Sequence, residues 1–187
     1  MKITYGLKKL AYALITEDEN GAITYSKPVN IPGARAISLS PVGEDTPVYA
    51  DDIKYVTITS NQGYEGDMTV LGIPDSFAQE AMGMTLDTNG VLMESAEDSK
   101  KNFALLGEFS SETAEKKRFI LYNCVAGRPE FSGNTKEDTV EAAELTIPLT
   151  CSPAVDTGAV KATVVGGIEA NTAFDNWYTT VYLKVGE

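Results

Sequence analysis

Lys117-Arg118-Phe119-Ile120-Leu121-Tyr122-Asn123-Cys124-Val125-Ala126 is the stretch from which the fold is read. Phe119, Leu121 and Val125 alternate with Ile120, Tyr122 and Cys124, so as a strand this segment is apolar on both faces. Such a strand belongs in the middle of a structure, covered on both sides. Working outward, Phe103–Phe109 is a second apolar strand, set apart by the polar Ser110–Glu115. On the other side Leu145, Ile147, Leu149 and Cys151 alternate with Thr146, Pro148 and Thr150, the pattern of a half-buried strand. Pro148 has no amide hydrogen for a ladder, which points to an edge or a bulge.

The rest of the chain repeats the theme. Leu7–Ile15 runs into Glu17-Asp18-Glu19-Asn20-Gly21, and Asn-Gly favours a tight turn before a returning strand Ala22–Ser26. Ala34–Ser40 alternates Ile37 and Leu39 with Ser38 and Ser40. Tyr55–Ser60 and Met68–Ile73 flank a turn at Asn61-Gln62-Gly63. Thr88-Asn89-Gly90 is a further hairpin turn, leading into Val91–Met93, and Trp177–Val185 is expected as the last strand. One helix stands out at Pro74–Gly83, with Asp75 as its expected cap, Gly83 as its stop, and Phe77 and Ala81 on one face. Many strands, hairpin turns and one short helix predict a mainly β fold. The expected architecture is an antiparallel β-sandwich or partial barrel flanked by that helix, in a single domain spanning 1–187. Two longer irregular stretches are expected, Pro41–Asp52 and Pro129–Asp138.

Composition narrows function. The chain has 187 residues, with 43% hydrophobic and 22% charged, which is a folding composition. Its net charge is −12, the wrong sign for binding nucleic acid by neutralising phosphates or for adhering to an anionic membrane. With no histidine there is no Ser-His or Cys-His pair and no imidazole-ligated zinc. Cys124 and Cys151 form no CxxC motif and read as small buried hydrophobes. Met1-Lys2-Ile3-Thr4-Tyr5-Gly6 opens no long apolar run, so neither a signal peptide nor a membrane span is expected. Glu44-Asp45 and Asp51-Asp52 place four carboxylates in one loop, but adjacent acids do not converge on a point without a fold to aim them. No phosphate-loop, dinucleotide or nucleophile-elbow motif is present, so an enzyme is not expected, nor a cofactor or metal. Tyr49, Tyr55, Tyr64 and Phe131 lie in polar, loop-like settings, and Trp177 and Tyr178 near the end. Such residues anchor protein interfaces when they do not fill a core.

Several fragments, in order, carry a resemblance. They begin with Tyr5-Gly6-Leu7-Lys8, Pro32-Gly33-Ala34 and Tyr49-Ala50-Asp51. Asn61-Gln62-Gly63-Tyr64-Glu65-Gly66, Ile73-Pro74-Asp75 and Leu86-Asp87-Thr88-Asn89-Gly90-Val91-Leu92 follow. Then come Phe103-Ala104-Leu105-Leu106, Leu121-Tyr122-Asn123-Cys124 with Arg128-Pro129, Thr135-Lys136-Glu137-Asp138-Thr139 and Trp177. With these the chain resembles the major tail proteins, or tail tube subunits, of long-tailed phages of Gram-positive bacteria with non-contractile tails. The resemblance implies a structural virion protein that forms stacked six-fold rings. Inner sheets of neighbours would join into one β-barrel around a channel, and a long loop and terminal arms would reach between rings. It implies as partners further copies of the chain, a tape measure protein, a tail terminator and a distal tail protein. DNA would pass through transiently and non-specifically, and assembly would occur in the host cytoplasm.

On that basis inter-ring or inter-subunit contact is expected on the loop 41–54, at Tyr49, Asp51, Asp52 and Tyr55, and at Tyr64, Trp177 and Tyr178. Lumen-lining positions are expected at Ser38, Ser40, Thr57 and Thr59, or at Thr146 and Thr150, the polar alternate positions of their strands. Two other readings fit the same residues: a soluble β-sandwich binding module, which would stay monomeric, and a tube subunit of a phage-derived bacteriocin.

Overall fold

The computed structural model describes residues 4–112, 115–131, 144–166 and 171–184. Its first strands are β1 (Thr4–Glu17), β2 (Ile23–Tyr25), β3 (Val29–Asn30) and β4 (Ala34–Val42). β5 (Asp45–Ala50), β6 (Ile53–Thr59) and β7 (Gly63–Val70) follow, then helix α1 (Asp75–Glu80) and the short pair β8 (Thr85–Leu86) and β9 (Leu92–Met93). β10 (Phe103–Ser111), β11 (Lys116–Ala126), β12 (Leu145–Ser152), β13 (Lys161–Gly166) and a one-turn helix α2 (Thr172–Asp175) complete the described chain.

The fold turns on β11, the strand first picked from the sequence. Residues 116–121 pair with β13, whereas residues 123–126 pair with β12. The change of partner coincides with a bulge. Against β10 the register moves from Leu105↔Leu121 to Phe103↔Cys124, so β11 carries one residue more than its neighbour there. An extra residue shifts side chains across the sheet. Cys124 therefore joins Phe119 and Leu121 in one core, instead of facing away with Ile120 and Tyr122 as simple alternation predicts. Asn123 holds this corner: its amide accepts from Asn102 at 2.7 Å and donates to the Pro153 carbonyl at 3.0 Å.

Two antiparallel leaves thus share β11. One is β2-β1-β10-β11-β13, with β3 also on β1; the other is β11-β12-β7-β4, and the sheet does not close into a barrel. The main core lies between the leaves. Leu10, Tyr12, Phe103, Leu105, Phe119 and Leu121 face Met68, Val70, Ile147 and Leu149 across it. α1 packs on the same core through Phe77 and Ala81, with the Phe77 ring 5.0 Å from Tyr12 and 5.3 Å from Phe103, both edge-on. The α1 N-cap is Pro74, which makes no side-chain cap bond, and Asp75 instead lies inside the first turn.

The outer face of the first leaf is apolar too. Ala11, Ala13, Ala104, Leu106, Ile120 and Tyr122 are buried there under Ala154 and Trp177. The central strands are therefore covered on both sides, as their composition requires. The segment expected as a final strand, Trp177–Val185, follows α2 and forms tight turns instead of a strand over its described residues, with Trp177, Thr179 and Thr180 amides returning to Phe174 and Asn176 carbonyls. The short helix α2 before it is held at its start by Asn171, which caps it by accepting from the Phe174 amide. Pro148 sits in an inner strand, not on an edge. Its carbonyl accepts from Gly127, just past the end of the β11 ladder, so its missing donor faces a position where none is needed.

Candidate assembly surfaces

The expected irregular loop at 41–54 is a β-ribbon. β4 pairs with β7, and the same two chains continue as β5 and β6. Asn61-Gln62-Gly63 is accordingly a bend within one long hairpin, not a reversal. Gly63 has φ +113°, and a Cβ there would lie 1.9 Å from the Cys151 carbonyl oxygen, so only glycine lets β7 pass under β12 at this bend. Asp51 and Asp52 form the tip, with φ of 51° and 61° between the paired Ala50 and Ile53. Two consecutive positive φ angles define a type I′ turn, which suits the twist of a two-residue hairpin.

The ribbon is exposed throughout, save half-buried Thr57. Val48 opposes Val56 and Thr46 opposes Ile58, so Val48, Val56 and Ile58 share one face. A bulge follows Val48, and Tyr55 is its extra residue. Tyr49 is 67% exposed and Tyr55 75%. Asp45, Pro47, Thr57 and Thr59 occupy the opposite face. A two-stranded ribbon is marginal in water by itself, and this one leaves its apolar face without a cover among the described residues.

A second surface is the outer face of the β4-β7-β12 leaf. Ser38 lies opposite Asp67 and Ser40 opposite Glu65; Asp67 and Glu65 in turn oppose Pro148 and Thr150, and Thr69 opposes Thr146. Residues directly opposite share a face. The result is a polar patch centred on two carboxylates, while Ile37, Met68, Ile147 and Leu149 point into the core behind it. Ser38, Ser40, Thr146 and Thr150 therefore come together, but Thr57 and Thr59 lie apart on the projecting ribbon. Glu65 and Asp67 were not singled out in the sequence. Their position in a Tyr-Glu-Gly-Asp-Met alternation was the available signal.

The remaining aromatic candidates are internal to the subunit. Trp177 is 2% exposed and its indole N–H donates to the Phe119 carbonyl at 3.2 Å. Tyr64 is half-buried, accepts from Lys161 Nζ at 2.8 Å and lies under that ammonium at 4.5 Å, which links β7 to β13. Tyr178 rests near a buried ion pair that sequence reading missed. Glu108 Oε2 accepts from Arg118 Nε at 2.7 Å, and both residues are buried. The guanidinium also donates to the Phe174 carbonyl and stacks 3.7 Å from the Phe174 ring, so it pins α2 to the sheet. The Tyr178 hydroxyl is buried with no partner among the described residues. Burial, and then the nearby Glu108 carboxylate, push its pKa well above the usual phenol value. The only sequence hint of this cluster was a glutamate inside an apolar strand.

Phe131 is exposed within the second long stretch, Pro129–Asp138, whose residues 132–138 lie outside the described residues. Among the described residues no three His, Cys, Asp or Glu side chains gather to hold a metal ion, and no helix is long and apolar enough to cross a membrane.

A comparison with curated proteins returns no match. The family model described as phage tail tube protein matches residues 1–184, nearly the whole chain. The sandwich, its projecting ribbon and its polar leaf are thus those of a structural virion component, and the chain belongs to the phage tail tube protein family.

Proposed function

We propose that the chain polymerises as stacked hexameric rings into the tail tube of a long-tailed, non-contractile phage and lines the channel through which DNA reaches the host. The observation that carries this reading is the β5-β6 ribbon, which projects Val48, Val56, Ile58, Tyr49 and Tyr55 with no cover among the described residues of its own subunit. A further copy in the next ring supplies that cover, with Asp51 and Asp52 at the leading tip. The polar leaf faces the lumen. Ser38, Ser40, Glu65, Asp67, Thr146 and Thr150 give a hydrated, acidic wall past which duplex DNA slides without ion-pairing. The outer edge of β4, without a partner strand among the described residues, is where a neighbour's sheet joins within the ring, which removes an exposed edge. Tail terminator, distal tail and tape measure proteins meet the tube at its ends and interior, and assembly takes place in the host cytoplasm.

Negative-stain microscopy over a concentration series, with tail-tip proteins added as nucleators, tests the reading. Tubes with a central hole are expected from the native chain. The variant Tyr49→Ala, Asp51→Ala is expected to keep its fold by circular dichroism and to lose stacking. Normal tubes from that variant remove the ribbon contact, and a chain that stays monomeric with nucleators present overturns the whole proposal in favour of a binding module.

A further inference from the structure

Cys124 and Cys151 are register partners on adjacent strands, β11 and β12, and both side chains point into the main core. Their sulfurs lie 2.8 Å apart, and both thiols are free and buried. Non-bonded carbon atoms, smaller than sulfur, already prefer about 3.5–4.0 Å. Directly opposed residues of an antiparallel pair have Cα atoms about 4.5–5.5 Å apart, within the range a disulfide spans. The two sulfurs therefore need to close by less than an ångström to reach a bond of about 2.05 Å, with no movement of either strand away from its ladder.

We propose that Cys124 and Cys151 are the site of an intrachain cross-strand disulfide, formed once the protein leaves a reducing compartment. Dissolved dioxygen is the oxidant. Each thiol gives up one proton and one electron, the S–S bond forms, and dioxygen takes the two electrons and two protons to leave as hydrogen peroxide. Burial holds the Cys124 thiol well above its usual pKa, reinforced by its neighbour, so the reaction is slow in the closed fold and quickens as pH rises. The bond would tie the two leaves together at the corner where β11 changes partner. There the polar leaf joins the backbone ladder of the rest of the sandwich, through β12 pairing with β11. The inference stands on the subunit alone and is independent of the tube reading.

The test is intact-mass spectrometry of the full chain after long incubation in air-saturated buffer at pH 8, followed by denaturation and alkylation with iodoacetamide. The expected product is a monomer lighter by two hydrogens that takes up no alkyl group, and prior reduction restores two alkylation sites. Oxidised protein should melt roughly 5–15 °C above the reduced form, since the bond closes a loop of about 28 residues. The Cys124→Ala, Cys151→Ala variant should melt at one temperature in both conditions. Two alkylated cysteines after incubation, or oxidation found only as intermolecular dimers, overturn the proposal. A second oxidant of small size, diamide, applied to the folded chain guards against mere slowness: an unreacted pair there overturns it as well.

Discussion

Among single residues, Glu108 and Arg118 hold the largest electrostatic stake. The pair is buried, with Lys9 Nζ 3.8 Å from the same carboxylate as a weaker, solvent-exposed neighbour. Removing one partner of a buried ion pair strands the other charge and costs about 3–5 kcal/mol, whereas an apolar replacement of both is far milder. Arg118→Met should thus lower the thermal midpoint sharply and loosen the Trp177 packing, read by tryptophan fluorescence. Adding Glu108→Leu should recover most of the loss. Asp87 makes a different kind of contribution, in a turn. Its Oδ1 accepts from the Asn89 and Val91 amides at 2.8 Å, as Asp18 does from Asn20 and Ala22 in the other Asp-x-Asn-Gly turn. The Val91 amide above all, with Asn89 and Gly90, holds the Asp87 carboxyl below its ordinary 3.8. A depressed folded-state pKa means the turn is favoured above the unfolded carboxyl value, and the benefit fades as pH falls through the folded one. An NMR titration should show the Val91 and Asn89 amides shifting with an inflection below the ordinary carboxyl value. Asp87→Asn should abolish that inflection, and an unshifted midpoint in the native chain would contradict the hydrogen-bond account.

At the level of elements, legibility followed burial. β11 was readable because both of its faces meet core, and its apolar composition has no other physical outlet. The bulge that sends Cys124 to the other core was not readable, because one extra residue changes register without changing composition. Trp177–Val185 is rich in aromatic and β-branched residues, so it reads as a strand. The deciding forces there are tertiary: the indole bond to Phe119, the Tyr122 hydroxyl donating to the Tyr182 carbonyl at 2.7 Å, and the Arg118 anchor on α2. Of the ribbon, Tyr55–Ser60 is legible as a strand, but Pro41–Asp52 reads as a loop because Asp51-Asp52 looks like solvated charge, although aspartate tolerates the left-handed region better than most side chains. The ribbon also yields the sharpest element-scale prediction. Val56→Asp with Ile58→Asp changes only exposed positions, so the monomer's melting temperature should move by no more than about 0.5 kcal/mol of equivalent stability. Tube formation should fail, because the same charges would be buried at the contact with the next copy. Wild-type polymerisation, followed by light scattering and microscopy, would show that the ribbon's apolar face is not the contact.

At the scale of the whole molecule the question is which face the subunit turns toward the proposed channel. Family membership establishes a tube component, but charge must distinguish the inner from the outer wall. The chain is acidic overall, so net charge alone does not choose a face. The polar leaf has specific features: it carries Glu65 and Asp67 at its centre flanked by Ser38, Ser40 and Thr150, and its apolar side is committed to the core. Glu65→Lys with Asp67→Lys turns two negative charges into two positive ones on that patch, at solvent-exposed positions, so the subunit should fold and tubes of native diameter should form. If the patch lines the channel of the proposed rings, its copies repeated along the tail create a basic track. Each lysine that meets a phosphate releases counterions, so the drag on the moving duplex should be strong at low salt and weaken steeply as salt rises. Particles carrying the variant should therefore eject DNA more slowly than native ones in dilute buffer and approach native rates in concentrated salt, followed with a DNA-binding dye. Native ejection rates at low salt from particles with intact variant tubes would place this leaf on the outside of the tube and leave the channel wall to another face.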